Sequence, residues 1–308
     1  MGYKLAGYEV IGAVEIDPEM AAIYKANHHP KWLFNMPIQE FNKLPNKDIP
    51  EDFFNIDILD GSPPCSSFSM AGSREKKWGK KSHFREGQAE QHLDDLFFDF
   101  IATAKRLQPK VVIAENVKGL IQGNAKGYVK QIFQGFKDAG YSVQLFLLNA
   151  ALMGVPQRRE RTFFVANRLG KKIKLEFSER PISVKESFLL VKDDFSENLP
   201  PSANDLWRKT KIGNSFKEVH PKGSWFGHIK LDPNQPAPTA VSGSPQYSWY
   251  SPRYLNNIEC SRIQSFPDDY NFLTAKASYV CGMSVPPFMM QRIADQVYKQ
   301  LLKDNPCP

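Results

Sequence analysis

The chain has 308 residues, enough for one large domain or a domain with a smaller lobe, and long enough to bury a full hydrophobic core. Hydrophobic residues make up 42% of the chain and charged residues 24%, as in ordinary globular proteins. No apolar run is long enough to span a bilayer, no signal peptide is recognisable, and the formal charge of +7 suits either a polyanionic partner or simply a basic protein.

Four cysteines are spread along the chain, at positions 65, 260, 281 and 307. They form no CxxC pair and have no close histidine partner, so the pattern predicts neither a zinc site nor another metal centre. We expect free thiols in a reducing cytoplasm.

The first elements have the order of a nucleotide-binding α/β unit. Residues 1–6 are predicted to end a helix that Gly7 closes, residues 8–16 predict a short apolar strand, and Pro18 opens the next helix. Glu15 lies at the end of that strand. An acidic residue in this place commonly accepts hydrogen bonds from ribose hydroxyls, although a solvated loop acid is the alternative.

The segment 57–72 has the residues of a reactive-thiol site. Ile58 and Leu59 predict the end of a buried strand, and the Gly-Ser-Pro-Pro sequence after them predicts a tight turn. Cys65 follows this turn directly, where a parallel α/β sheet presents its catalytic loops. A small buried cysteine is the alternative, but the neighbouring serines and glycines favour a functional loop.

A basic segment comes next, at residues 73–90. Between Ser73 and Gly87, six Lys or Arg residues stand against two Glu. A solvated run of charges is the alternative. Directly after a nucleophile, such a loop can close on a phosphate backbone and exclude water, and we favour this interpretation.

Alternating helices and strands continue to about residue 166. Apolar residues at helical spacing predict an amphipathic helix: Leu93, Leu96, Phe97, Phe100, Ile101, Ala104 and Leu107. Residues 111–114 predict a buried strand ending at Glu115, which is suited to proton donation, with a helix-capping acid as the alternative. A helix at 126–139 and strands at 141–148 and 162–166 come after it, and strand alternation predicts that Arg159 and Arg161 face one way.

Four segments resemble the motifs of the bacterial and phage DNA (cytosine-5) methyltransferases, in the family's order: PPCSSFS at 63–69, AENV at 114–117, QRRER at 157–161 and RYLNNIECSRIQSFPDDY at 253–270. The resemblance covers almost the whole chain. It implies an α/β fold with a doubly wound, mostly parallel sheet, of the Rossmann-like class that binds S-adenosylmethionine, and a small target-recognition lobe. It also implies transfer of a methyl group to carbon 5 of a flipped-out cytosine in duplex DNA.

The resemblance assigns catalytic roles to five residues. Cys65 matches the nucleophile that attacks carbon 6, and Pro64 precedes it in the motif. Glu115, with Asn116 beside it, matches the acid that stabilises or protonates ring nitrogen 3. Arg161 matches the residue that reaches the flipped base and holds its carbonyl oxygen.

Binding roles are also implied by the resemblance. For S-adenosylmethionine, with S-adenosylhomocysteine as product, the matching positions are Glu15 at the ribose and Ile16, Leu96 and Ser284. For DNA they are Ser69, Arg159 and Thr239, with Arg159 near a phosphate or the catalytic carboxylate. Packing in the core explains Leu96 equally well.

The sequence differs from the family's cofactor-binding motifs in two places. The family's first strand and FxGxGG loop are not found, and MGYKLAGYEV resembles the family's segment directly after that loop. We therefore expect a truncated reading frame or a segment supplied by another chain, with neighbouring strands that lack ladder partners. Met283 stands where the family has Asn.

The expected division is a catalytic α/β domain at 1–168, a target-recognition lobe at 169–242 and a return to the catalytic domain at 243–308. In the lobe, Trp207, Trp225, Phe226 and several lysines suit contacts with phosphates and bases. Expected partners are double-stranded DNA and a cognate restriction endonuclease, with no membrane, for a monomer in the bacterial cytoplasm acting at the nucleoid. The alternatives are a catalytically inactive DNA-binding homologue and the tRNA-methylating branch of the superfamily.

Overall fold

The computed structural model describes residues 1–63, 95–122, 126–191, 199–242 and 245–304. The chain divides into two compact units. We call one the lobe unit, which consists of Met1–Tyr8, Asn149–Arg159 and Glu176–Ala294, and the other the sheet unit, which consists of Glu9–Leu148, Glu160–Leu175 and Asp295–Pro308. The functional division expected at residues 168 and 242 stays a prediction, because compactness does not test which residues recognise a target.

The described strands are short except around the centre of the sheet unit: β1 (Gly12–Val14), β2 (Trp32–Phe34), β3 (Ile58–Gly61), β4 (Val111–Val117), β5 (Ser142–Asn149), β6 (Gln157–Arg158), β7 (Glu160–Asn167), β8 (Ile229–Lys230), β9 (Ala237–Pro238) and β10 (Gln246–Tyr247). The described α-helices are α1 (Gly2–Leu5), α2 (Pro18–His28), α3 (Ile38–Lys43), α4 (Leu96–Leu107), α5 (Lys126–Asp138), α6 (Val184–Ser187), α7 (Pro201–Lys209), α8 (Asn257–Ile263), α9 (Ala277–Met283) and α10 (Pro287–Val297). None of the helices in the described ranges has the length and apolarity needed to cross a membrane.

A four-stranded sheet in the order β3-β4-β7-β5 forms the centre of the sheet unit. β3 and β4 are parallel, and β4 and β7 are antiparallel. The first four residues of β4 are completely buried, as expected for a strand covered on both faces. The predicted α/β class with a central sheet is confirmed.

Helix α4 packs on this sheet through the stripe predicted from its spacing. Phe97, Phe100, Ile101 and Ala104 belong to one buried cluster with residues of β4, β7 and α5. The end of β3 lies so close to α4 that a Cβ atom at Gly61 would be 2.4 Å from the Phe100 ring. The helix therefore fixes the strand end that leads into the Ser-Pro-Pro-Cys sequence.

A second, two-stranded sheet pairs β1 with β2 in parallel register. Within the described ranges, β1 is paired by a strand along one edge only, and so is β3, which ends the four-stranded sheet. Every open sheet has such edge strands, so this pairing does not test the expectation that strands lack a ladder partner. What lies at these edges stays a prediction.

The local signals for the first helices are confirmed. Gly7 has a φ of +84° just after α1, a conformation that glycine adopts without steric cost. Pro18 is the first residue of α2, and the Asp17 side chain accepts hydrogen bonds from the first-turn N–H groups. One boundary differs: Glu115 and the two residues after it belong to β4, because that strand pairs with β7 as far as Val117.

The lobe unit is built around aromatic side chains and one buried ion pair. Phe216 and Tyr247 are completely buried, and Trp207 and Trp225 pack against their cluster. The bidentate pair between Arg253 and Glu259 has Nη1–Oε2 and Nη2–Oε1 distances of 2.7 and 2.8 Å. Glu259 also closes the N-terminal capping box of α8, so this pair joins the loop before α8 to the helix.

Candidate active site

The first predicted site residues that the structure describes lie at the end of β4, next to the end of β3 in the sheet unit. β3 ends at Gly61 and runs parallel to β4, whose carboxyl end carries Glu115 and Asn116. Pro63 is buried and lies two residues before Cys65 in the chain. Pro64, Cys65, Ser69 and the basic segment 73–90 lie outside the described residues.

Asn116 holds the main chain in front of the predicted nucleophile. Its Nδ2 atom donates to the carbonyl of Pro63 at 3.1 Å, and its Oδ1 atom accepts from the Val117 N–H at 2.8 Å. The hydroxyl of Thr162 on β7 donates to the Asn116 carbonyl at 3.0 Å. Since Asn116 and Thr162 are buried, these bonds fix the approach of the chain to Cys65.

Glu115 and Arg161 form an ion pair across β4 and β7. Val117 lies opposite Arg161 in the antiparallel register, so Glu115 and Arg161 are diagonal neighbours on one face. The Nε–Oε1 distance is 3.0 Å, and the side chains are only 12% and 13% exposed. Arg161 Nη1 also donates to the Glu160 carbonyl at 2.8 Å. Burial lowers the pKa of Arg161, while the carboxylate of Glu115 opposes that shift.

Arg159 has a different environment from the one predicted. Its side chain is 2% exposed, and Nη1 and Nη2 donate to the carbonyls of Ala240 and Gly282, each at 2.8 Å. The strand is interrupted between β6 and β7, so simple alternation does not hold, and Arg159 and Arg161 have separate partners. A phosphate contact by Arg159 has no support in this arrangement, because the guanidinium is engaged inside the lobe unit.

The neighbours of Arg159 form a buried polar network in the lobe unit. Gln157 Nε2 donates to Gln264 Oε1 at 2.7 Å, and Gln264 Nε2 donates to the Ser284 carbonyl at 2.7 Å. The Thr239 hydroxyl donates to the Arg158 carbonyl at 2.8 Å. Ser284 and Thr239, predicted for the cofactor and for DNA, are thus held by main-chain contacts, and their ligand contacts stay predictions.

Glu15 is placed where the sequence predicted, directly after β1. Its carboxylate accepts from the Asp17 N–H at 2.8 Å, and burial raises the pKa of the group. Asn35 Nδ2 donates to the Glu15 carbonyl at 2.7 Å and lies 3.3 Å from that of Ile16. The Ile16 N–H also bonds to this carboxylate, and the remaining lone pairs leave acceptor capacity for two ribose hydroxyls, so Glu15 fits the predicted ribose contact. Leu96 is buried at the start of α4, which fits packing as well as a cofactor contact.

Sequence reasoning missed two residues that shape these sites. Thr162 supports Asn116 from β7, and Asn35 supports the turn after Glu15. Thr162 directly follows Arg161 in the sequence, but its contact with Asn116 can be predicted only once β4 and β7 are known to be antiparallel. Asn35 had no such signal, because its partners are main-chain carbonyls.

Comparison with known proteins gave consistent matches. The model of the family described as C-5 cytosine-specific DNA methylase matches residues 1–222 and 199–299. The Type II methyltransferase M.FnuDI of Fusobacterium nucleatum is 31% identical over 341 residues, which cover 99% of this chain and 92% of the relative. M.NgoPII of Neisseria gonorrhoeae, also a Type II methyltransferase, is 28% identical over 337 residues, which cover 98% and 92%.

Solved structures support the same fold. A crystal structure of a proposed DNA modification methyltransferase encoded within a prophage of E. coli superposes with a TM-score of 0.76 at 21% identity. The match covers 97% of this chain and 95% of that one. At this level of identity, the likeness shows the fold alone.

Proposed function

Because the chain belongs to the family of C-5 cytosine-specific DNA methylases, which transfer a methyl group from S-adenosylmethionine to carbon 5 of cytosine in DNA, we propose that Cys65 is its nucleophile. Carbon 5 of an aromatic cytosine is a poor nucleophile. Addition of the Cys65 thiolate to carbon 6 forms an S–C bond and makes carbon 5 enamine-like. After carbon 5 has received the methyl group, it loses its proton and the S–C bond breaks, which restores the aromatic ring and the thiolate.

The fixed main chain before Cys65 supports this assignment. Asn116 holds the carbonyl of Pro63, and Thr162 holds Asn116, so the start of the Pro-Pro-Cys sequence has a defined position at the end of β3. Pro64 then limits the backbone freedom between that anchor and Cys65. Precise placement of the sulfur matters, because attack requires the reacting atoms to be about 3 to 3.5 Å apart.

Glu115 and Arg161 are proposed to hold the cytosine ring from one side. Their ion pair is the observation that carries the proposal, since it places an acid and a guanidinium 3.0 Å apart next to the strand end that leads to Cys65. Glu115 stabilises or protonates ring nitrogen 3 as the thiolate adds. Arg161 donates to the carbonyl oxygen, where negative charge gathers, while its Nε atom keeps Glu115 oriented.

Glu15, with the adjacent Ile16, is proposed to hold the ribose of S-adenosylmethionine. When bound, the cofactor supplies the methyl group on a sulfonium, so the protein needs no metal for this chemistry. Leu96 and Ser284 are proposed as further contacts. The task of these residues is to position the cofactor.

The target cytosine must leave the duplex stack, at a cost of a few kcal/mol. We propose that the segment 169–242 recognises the target and that Ser69 and Thr239 contact the DNA backbone. Arg159 is not included, because its guanidinium is engaged by main-chain carbonyls. The Type II names of the relatives support a cognate restriction endonuclease as partner, and we propose a monomer that acts at the nucleoid in the bacterial cytoplasm.

Covalent trapping on DNA tests the nucleophile. A pool of random-sequence duplexes carrying 5-fluorocytosine is incubated with the protein and S-adenosylmethionine, because fluorine at carbon 5 cannot leave as a proton and the bond to sulfur persists. We expect an adduct that survives a denaturing gel, and we expect Cys65→Ser to abolish it. Cys260→Ser is the matched control and keeps the adduct. An adduct of unchanged yield with Cys65→Ser contradicts the proposal.

A further inference from the structure

Phe226 has the most exposed aromatic ring that the structure describes in the lobe unit, and its backbone is well anchored. Phe226 is 69% exposed, whereas the rings around it are packed. The residue before it, Trp225, has a φ of +68°, a backbone conformation that residues other than glycine rarely adopt. A single exposed phenylalanine needs no explanation by itself. The backbone that carries Phe226, however, is held by hydrogen bonds and by stacked neighbouring rings.

Hydrogen bonds fix the main chain of Phe226 while its side chain remains exposed. The Ser215 hydroxyl lies 2.7 Å from the Phe226 carbonyl and 3.2 Å from the Trp225 carbonyl. The His228 N–H donates to the Trp225 carbonyl at 3.1 Å. These bonds anchor the backbone from which the Phe226 ring extends.

Stacked rings form a platform under this loop. Trp225 stacks on Phe216 with an interplanar angle of 14°, and Phe216 stacks on the completely buried Tyr247 with ring centroids 4.4 Å apart. His228 lies against Trp225, with centroids 4.5 Å apart. The platform connects the base of the loop to the core of the lobe unit, so the backbone that carries Phe226 is held by the residue before it.

A cation accompanies the exposed ring. Lys217 Nζ is 5.3 Å from the centroid of the Phe226 ring, and the lysine side chain is itself exposed. The two tryptophans predicted to contact DNA, Trp207 and Trp225, are less exposed than Phe226. Trp207 donates through Nε1 to the Ser248 carbonyl at 2.7 Å and has Lys230 Nζ 3.6 Å from its ring centroid. Of the three aromatic residues predicted to contact DNA, Phe226 is the most exposed, since Trp207 and Trp225 are partly buried.

We propose that Phe226 stacks on a base of the bound duplex and that Lys217 contacts a neighbouring phosphate. An exposed aromatic ring provides a face for any base, and a lysine beside it matches the charged backbone that runs next to that base. Apolar side chains that enter a base step partly unstack it and bend the duplex. Phe226 is then a positioning residue for DNA. The inference rests on duplex DNA being the substrate and does not depend on Cys65.

The test measures binding of the full chain to a random-sequence duplex at several salt concentrations. Stacking predicts that Phe226→Ala binds DNA roughly 5- to 100-fold more weakly, with an unchanged slope of log K against log salt. Phe226→Tyr keeps the ring and binds within about twofold of the original chain. Lys217→Gln lowers the salt slope by about 0.9, because one phosphate contact is lost. Leu273→Ala is the matched control, since Leu273 is an exposed apolar residue of the same unit outside the segment 169–242, and it leaves binding unchanged.

Inorganic polyphosphate separates the base contact from the phosphate contact, because it has the charges of DNA without the bases. We expect Phe226→Ala to bind polyphosphate as the original chain does, and Lys217→Gln to bind it more weakly. The proposal is overturned if Phe226→Ala binds DNA as tightly as Leu273→Ala, or if it weakens polyphosphate and DNA binding equally. Because no step needs methyl transfer, failure of the nucleophile assignment would leave this result unaffected.

Discussion

Removing one partner of the Glu115–Arg161 pair should destabilise the sheet unit strongly. At an effective dielectric constant of about 20, two unit charges 3.0 Å apart attract by about 5 kcal/mol. Desolvation of the two ions costs several kcal/mol each, so the intact pair contributes little net stability. Deleting one charge removes the attraction and leaves the other ion buried, which costs about 3 to 5 kcal/mol.

The perturbations are Arg161→Met, Glu115→Gln and the double variant. Each single variant should lose about 3 to 5 kcal/mol of unfolding free energy, and the double variant should lose less than the sum, with a coupling of about 1 to 3 kcal/mol. Urea denaturation gives the free energies. Hydrogen exchange of the β4 and β7 amides shows whether the loss is located in this sheet.

A more exposed ion pair provides the control, between Lys118, which follows β4 directly, and Glu160, the first residue of β7. Lys118 Nζ and Glu160 Oε2 are 2.8 Å apart, but their side chains are 34% and 44% exposed. Lys118→Met should therefore cost less than about 1 kcal/mol. The reasoning is refuted if Arg161→Met is no more destabilising than Lys118→Met, or if the effects of Arg161→Met and Glu115→Gln simply add.

Three further predictions concern the lobe unit and the cofactor. Glu259→Gln should lower the unfolding free energy by about 3 to 5 kcal/mol in urea denaturation, because it leaves Arg253 charged and buried; a loss below about 1 kcal/mol contradicts this. Burial lowers the pKa of His228 below 6.5, so the folded protein binds fewer protons than the unfolded chain. The stability that neutral His228 contributes is therefore fully present above pH 6.5 and declines as the pH falls. In urea denaturation, the unfolding midpoint of His228→Gln should depend less on pH between about pH 7.5 and 5.5 than the midpoint of the original chain. Glu15→Gln should weaken S-adenosylhomocysteine binding about 10- to 100-fold in calorimetry through loss of charged hydrogen bonds, with DNA binding unchanged as the control.

Local sequence signals predicted the elements that frame the site. Gly7 follows the end of α1 and Pro18 starts α2, and the apolar spacing of α4 matches the stripe that packs on the sheet. These predictions succeed because capping and amphipathic spacing depend on neighbours within a few residues. Glu15 was located for the same reason, since the strand before it and the helix after it are both readable locally.

Contacts between distant segments could not be predicted in the same way. The hydrogen bond from Asn116 to Pro63 joins residues separated by the whole basic segment, and the pair of Glu115 with Arg161 depends on an antiparallel register. In the lobe unit, composition could not distinguish a tryptophan that stacks in the core from a phenylalanine that projects outward. Trp225 and Phe226 are adjacent in sequence, and only the left-handed conformation at Trp225 and the bonds of Ser215 separate their roles.

The pleat of β4 explains why a Glu-Asn dipeptide serves the proposed reaction. Successive residues of a strand point to opposite faces, so Glu115 and Asn116 cannot act on the same side of the sheet. Glu115 meets Arg161 on one face, and Asn116 lies beside Thr162 on the other while its amide reaches Pro63. One strand end thus orients the acid and fixes the main chain before Cys65 at the same time. Arg159 lies between β6 and β7, where the chain is not in a regular strand, and its guanidinium donates to the Gly282 carbonyl instead of to Glu115. Two arginines of the same QRRER motif therefore have different partners.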